Sequence, residues 1–407
     1  MTDTEHDRRA AEPPSVDASR EDSHGYTARR RVTSTVVLAV FGLALLTPWV
    51  IGRGLKTGES AALTAFPHLT VANVLDDSAF RQVDAAIKDR LPFKAIAVRG
   101  VGIVGTRVLH RSLTPLVVMS PGQPPFLAED FTLACTPFVA TTVKRNLDAL
   151  STAAKDAGKS VSVFIAPDKS TVLRDDLGSR ADQLLACADP IRTATQTTWP
   201  GTTGVVVPLF DQMSALEKAH PGSTYQYGDS HWLPAGARVL SAAMIDWFSA
   251  HGDVPAGTWD PSAVVAAPPK NTGGDLFRLM GAPRTDAVRD EKSVRPGVSM
   301  SLKTRPGAGA ATYEYRSTST GPALVPGHTV IIRDSFFWRA MPQLAPYFEH
   351  VTVMHWAEFA KEAGQGTLPL ADHYVFETVQ RGWPQRAMQV LGSPRTVKAI
   401  HTALGIR

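Results

Sequence analysis

The stretch "YQYGDSHW", Tyr225 to Trp232, sets an acid and an imidazole two residues apart, with a tryptophan directly after. Asp229 and His231 admit three readings: a surface turn, a pair of metal ligands, or the acid and base of a catalytic triad. Residues two apart in an extended segment point the same way, so one loop can offer both side chains to a common neighbour. A serine for them to act on stands in "VIIRDSFFW", 330–338, where an apolar run ends in Asp334-Ser335. Serine alone is a poor nucleophile near neutral pH. It needs a base within hydrogen-bond reach, and the base needs an orienting carboxylate. Ser335, His231 and Asp229 are therefore the candidate nucleophile, base and orienting acid, a set that needs neither metal nor cofactor. The metal reading requires at least a third ligand, for which the sequence offers no clear candidate. Asp and Ser are also helix caps, so Asp229 caps the following helix if it does not hold His231.

These side chains need elements to carry them. Short β-branched or apolar runs predict five strands: 160–167, 204–210, 329–335, 351–356 and 373–379. Helical patterns lie between several of them. A helix is expected around 138–157, before Gly158. Another starts at Pro234, whose missing N–H is harmless in a first turn. On it Leu240, Met244, Trp247 and Phe248 fall on one face. Trp338, Met341, Leu344 and Phe348 suggest a further amphipathic helix. Strand–helix alternation predicts an α/β fold with a parallel sheet flanked by helices. Ligands of such sheets bind beyond the C-terminal strand ends, where Ser335 would stand. The stretch 252–328, rich in Gly, Pro, Ser and Thr, reads as an insertion over the sheet.

Other polar and aromatic residues cluster near these strand ends. Asp168 and Lys169, in "APDKS", are either substrate contacts in the cleft or a turn leaving the strand. Tyr225, Tyr227 and Trp232 offer rings on which a substrate could stack, although packing is the more ordinary fate of Trp232. Arg333 adjoins the serine and is a further substrate-contact candidate. His355 and Trp356 read as core.

The rest of the chain sets the context. Its 407 residues are 43% hydrophobic and 20% charged, with a net charge of +4. Apart from Arg29-Arg30-Arg31 there is no basic block, which argues against a nucleic-acid footprint. Residues 1–31 are polar and charged, predicting a disordered cytoplasmic tail. Residues 32–52, "VTSTVVLAVFGLALLTPWVIG", carry no charge. At about 1.5 Å per residue they match a hydrocarbon core of roughly 30 Å and predict a single transmembrane anchor. The flanking arginines favour a cytoplasmic N-terminus and an extracytoplasmic domain over 53–407 at the cell membrane. The only two cysteines are Cys135 and Cys187. In an oxidising compartment they either pair, contributing roughly 3–4 kcal/mol by closing the loop between them, or remain two unrelated buried thiols.

The blocks "YGDSHW-PAGA" and "RDSFFWRAMPQLAPYFEHVTVMHW" resemble the SGNH-hydrolase-like alginate O-acetyltransferase family, which acetylates bacterial exopolysaccharides. The acid-x-His-Trp block precedes the serine block, as in that family and opposite to ordinary SGNH hydrolases. "FPHLTVANVLDDSAF", "IKDRLPFKAIAVRG", "IAPDKSTV", "GGDLFRLMGAP" and "VFETVQRGW" are similar too, so the likeness runs from about 66 to 383. It implies an SGNH-like sheet, Ser335 as nucleophile, His231 as base and Asp229 as orienting acid. It further implies acetyl transfer to a polysaccharide hydroxyl through an acetyl-serine, with acetyl groups supplied by a membrane-bound O-acyltransferase. A carbohydrate acetyl esterase and a non-catalytic glycan-binding assembly protein are the alternatives. The chain departs from the pattern at Arg333, where ordinary SGNH enzymes carry glycine. It also departs at "SPGQPPFLAEDF", 120–131, which lacks the tryptophan of the corresponding family stretch. No asparagine of the SGNH type is clearly placed, Asn271 being the nearest candidate.

Overall fold

The computed structural model describes residues 65–68, 78–90, 94–135, 140–199, 204–282, 284–307, 310–391 and 393–406. The expected tail and anchor, 1–31 and 32–52, lie outside the described residues. Among the described residues no helix is long and apolar enough to cross a membrane. The chain divides into two compact units, Met1–Ala97 and Val98–Arg407. In the first, the helix Ser78–Arg90 is described, and the Gln82 side-chain amide donates to the Ala65 carbonyl at 3.0 Å.

The second unit is mixed α/β around a seven-stranded sheet. Its strands are β1 Ser160–Ala166, β2 Val206–Pro208, β3 Val298–Arg305, β4 Thr312–Ser319, β5 Val325–Arg333, β6 Phe348–His355 and β7 His373–Val379. Their spatial order is β2-β1-β7-β5-β6-β4-β3. The first five are parallel, and β4 and β3 continue the sheet antiparallel. The stretch 252–328 is thus no mere insertion over the sheet, because it supplies β3 and β4.

Side-chain alternation divides the parallel strands between two cores. Val161, Val163 and Ile165 of β1, Val330 and Ile332 of β5, and Tyr374 and Phe376 of β7 face one side. That side is covered by α1, Ala140–Asp156, through Val143, Leu147 and Leu150, and by α3, Trp356–Gln365, through Phe359. Phe164, Ile331, Val353 and Val375 face the other side. There they meet Leu240, Met244, Trp247 and Phe248 of α2, Pro234–Ala250, the stripe its spacing predicts. Burying each such side chain stabilises the fold by about 1.5–3 kcal/mol, so both layers pin the strand ends that carry the site.

Beyond Ser335 the expected amphipathic helix does not form as one piece. A 3₁₀ turn, Ser335–Arg339, is followed by the short helix Met341–Leu344 and a second 3₁₀ turn, Ala345–Tyr347. Pro342 and Pro346 interrupt the backbone donors that a longer helix would use. Cys135 and Cys187 form a disulfide, closing a sequence separation of 52 residues.

Candidate active site

Ser335 lies just past β5, at the C-terminal end of the parallel strands. Asp334 fixes the turn that presents it. One oxygen of its buried carboxylate accepts from the Phe336 N–H at 2.8 Å. The other accepts from the Val379 N–H of β7 at 2.8 Å and pairs with Arg386. Burial alone would raise the Asp334 carboxyl, but Arg386 and these two N–H donors hold it below its ordinary value. Asp334 is thereby fully occupied in holding the turn, while Ser335 itself is exposed.

The acid and the imidazole arrive on a hairpin. Tyr225 and Trp232 pair as an antiparallel bridge, and the Leu233 N–H donates to the Thr224 carbonyl at 2.7 Å. Within the hairpin, Asp229 Oδ1 accepts from the His231 N–H at 2.9 Å and faces His231 Nδ1 at 2.6 Å. The local Asx geometry explains how residues two apart can hold each other. Leu233, not Asp229, is the N-cap residue of α2, so the capping alternative does not describe this site. On the far side of the ring, His231 Nε2 lies 2.8 Å from Ser335 Oγ. Trp232 fastens the two loops together, its indole N–H donating to the Phe336 carbonyl at 2.9 Å.

A further acid, missed from the sequence, completes the surroundings. Asp275 Oδ1 accepts from the Ser230 N–H at 2.7 Å and Oδ2 from the Ser230 hydroxyl at 2.6 Å. Its own N–H donates to Asp229 Oδ2 at 3.1 Å. Burial works against the Asp229 charge, yet the His231 ring and the two backbone N–H donors hold its carboxyl well below the usual carboxylate range. The chain can come this close only because of a glycine: a Cβ on Gly274 would sit 1.8 Å from the Gly228 carbonyl oxygen. The signal available in the sequence was "GGDLF", whose Gly-Gly-Asp marks a tight backbone approach. Asp229, His231 and Asp275 offer ligand atoms within 4.8 Å of one another. Their mutual hydrogen bonds, and those from Ser230, already account for the cluster.

The remaining sequence candidates fall elsewhere. Tyr225, Trp232, Asp168, Lys169 and Arg333 are buried, which corrects their reading as substrate contacts. The Tyr225 hydroxyl donates to the Pro167 carbonyl at 2.6 Å. Arg333 donates to the Asp334 carbonyl at 3.3 Å. Lys169 Nζ donates to the Gln226, Tyr227 and Asp229 carbonyls at 3.1, 2.7 and 3.1 Å, so it clamps the hairpin from behind. Burial lowers Lys169 to about 8, against the pull of Asp130 and Asp229. Asp168 pairs with Arg381, which also bonds Asp130 at 3.1 Å. Burial and the Asp130 charge push Asp168 up to about 8, against Arg381. Only Tyr227 among the three proposed stacking residues is exposed, and its hydroxyl donates to the Gln123 carbonyl at 3.2 Å. Asn271 is exposed on the short strand Lys270–Thr272.

No protein-family model matches the chain, and neither does any curated protein. It is similar to solved structures at low identity. The Bacillus cereus PatB1 structure with a sulfonyl adduct shares 10% identity at a TM-score of 0.47, over 66% of this chain and 95% of that one. The O-acetyltransferase domain of Pseudomonas putida AlgJ shares 16% at 0.42, over 70% and 99%. A DHHW family protein from Eubacterium siraeum shares 13% at 0.43, over 68% and 95%. Likenesses this distant do not transfer an activity.

Proposed function

We propose that this chain is a membrane-anchored O-acetyltransferase that moves acetyl groups onto hydroxyls of an extracellular or cell-surface polysaccharide. The observation that carries the reading is the continuous hydrogen-bond chain from Asp229 through His231 to Ser335, with links of 2.6 and 2.8 Å. The order and content of the motifs around it support acetyl as the transferred group. The uncharged segment 32–52 supports anchoring, with the N-terminus cytoplasmic and the domain over 53–407 outside.

In this mechanism Ser335 Oγ attacks the carbonyl carbon of a donor acetyl ester while His231 Nε2 takes its proton. The imidazolium formed is stabilised by Asp229, which keeps Nδ1 protonated and the ring in register. The donor C–O bond breaks, and its leaving oxygen takes the proton from His231. Acetyl-Ser335 remains. An acceptor hydroxyl then attacks the acetyl carbon, giving its proton to His231. The bond between the acetyl carbon and Ser335 Oγ breaks, and Oγ takes the proton back from His231. The Phe336 N–H is committed to Asp334, so the Ser335 N–H is the backbone donor left in this turn for the oxyanion. A membrane-bound O-acyltransferase would supply the acetyl donor.

An acetyl esterase uses the same first half and differs only in its acceptor, water. The test is incubation with an activated aryl acetate, with and without oligosaccharide, followed by mass spectrometry of protein and sugar. One acetyl on Ser335, passed to the sugar, is expected. Ser335→Ala should lower acetyl turnover by about 10³-fold or more. Turnover persisting in Ser335→Ala would remove both catalytic readings, and acetate release with no acetyl-sugar would leave the esterase.

A further inference from the structure

Two acids stand beside one ring nitrogen of His231, where a triad needs a single one. Asp229 Oδ1 lies 2.6 Å from Nδ1, and Asp275 Oδ2 lies 3.6 Å from it. All three residues are half-buried, so solvent screens their charges less than on an open surface. Two carboxylates this close repel each other, and a cation forming against both relieves the repulsion. Among the described residues the His231 ring is the only basic group within ion-pair reach of Asp275. An imidazolium is therefore favoured here more than beside Asp229 alone. His231 carries that charge while it holds the Ser335 proton, so a second acid at Nδ1 favours the reacting state over the resting one.

The chain is shaped to bring the second acid in. Asp275 opens the short helix Asp275–Leu279. The Phe277 N–H of that helix donates to the Gly228 carbonyl at 3.2 Å, and a Cβ on Gly228 would sit 2.1 Å from the Phe277 ring. Ser230 fixes both oxygens of the Asp275 carboxylate, one with its N–H and one with its hydroxyl. The other charged groups nearby bond the hairpin rather than the ring. Lys169 donates to the Gln226, Tyr227 and Asp229 carbonyls, Asp286 accepts from the Gly228 N–H at 2.8 Å, and Arg339 donates to the Gln226 side chain at 2.8 Å. From the serine's turn, Ser335 Oγ faces Nε2 and the Phe336 ring lies 4.9 Å from the imidazole, while Asp334 is turned to Val379 and Arg386.

We propose that Asp275 is a positioning residue for acyl transfer, which shares with Asp229 the charge that His231 acquires and locks the hairpin tip through Ser230. This role rests on Ser335 and His231 being nucleophile and base, whatever acyl group they carry.

The test is the pH dependence of Ser335 modification in the full chain in detergent micelles, read by mass spectrometry. Two reagents are used, an aryl acetate and phenylmethylsulfonyl fluoride. The second reports on the same serine and imidazole without acetyl chemistry. In Asp275→Asn the amide oxygen still accepts from the Ser230 N–H, and the amide N–H can donate to the Ser230 hydroxyl oxygen. The lock stays and the charge goes. The rate rises with pH as His231 loses its proton. With one acid removed the imidazolium is less favoured and its proton leaves at lower pH, so the rising limb should move down by about one pH unit. The plateau should fall about tenfold, because the base is weaker. Ser230→Ala keeps both acids and cuts one bond of the lock, so it should not move the limb down. The role is overturned if the limb of Asp275→Asn coincides with that of wild type, if only its plateau falls, or if Ser230→Ala moves the limb as far. Sulfonyl labelling with the expected shift, but no acetyl on Ser335, would keep this role and remove acetyl transfer. A serine that neither reagent modifies would remove both.

Discussion

Two groups of acids and bases stand past neighbouring strand ends of one sheet, and burial gives them opposite characters. Asp229, His231 and Ser335 end at an exposed hydroxyl, with each polar atom of the acid satisfied by a neighbour. Asp130, Asp168, Lys169 and Arg381 are closed off from solvent, Asp168 at 0% and Lys169 at 1% exposure. Two carboxyls there share one guanidinium. Residue types alone would make either group a candidate. Access to a reactive atom separates them. The buried group is read as the support of the open one, because Lys169 joins them through the three hairpin carbonyls.

Breaking that support should tell the two apart. The largest effect is expected for Arg381→Met, which leaves Asp130 and Asp168 buried without their cation. Removing one partner of a buried ionic cluster costs roughly 3–5 kcal/mol, read as a fall in denaturant midpoint. Acetyl labelling of Ser335 should survive in the molecules that remain folded. Equal stability of Arg381→Met and wild type would mean the cluster is no structural element. Next comes Lys169→Met. Three carbonyls lose their donor, which should lower stability by about 1–3 kcal/mol. Hydrolysis of an aryl acetate should fall about tenfold as the hairpin loosens. A stability loss with unchanged turnover would show that the clamp does not position His231.

The effect smallest per step is a pH slope, at most about 1.4 kcal/mol per pH unit for one group. Burial and Asp130 raise the Asp168 carboxyl from its usual acid range to about 8. Between these values the folded state holds a proton that the unfolded state has lost. Stability therefore falls as pH rises through that window. Asp168→Asn should flatten this part of the melting-temperature profile. A profile with the same slope in Asp168→Asn would assign it to other groups.

How far all this was legible in the sequence depends on the kind of signal. The parallel strands announced themselves through β-branched runs such as "SVSVFIA", and α2 through its apolar stripe and leading proline. Strands β3 and β4, "VSMSLKTR" and "TYEYRSTS", did not. β3 is half-buried only at its first residue and exposed beyond it. Val298, Met300 and Leu302 alternate with polar residues, Met300 and Leu302 stay open, and no continuous apolar run marks the strand. Ser335, Asp229 and His231 were legible because chemistry restricts their types and spacing. Asp275 was not, because it reaches Asp229 across 46 residues through the Gly228–Gly274 approach, a tertiary fact. Tyr225, Lys169 and Arg333 were found as conspicuous residues, but burial, invisible in a string of letters, gives them structural work. Trp338, which is exposed, was misplaced because helical spacing was assumed through two prolines.

The most direct measurement is time-resolved mass spectrometry of the full chain after mixing with an activated aryl acetate, comparing wild type with His231→Ala. A single acetyl on Ser335 should appear in the wild type, and its formation should slow by about 10²-fold or more in His231→Ala. Acetyl groups elsewhere than Ser335, or equal rates in the two proteins, would contradict the account.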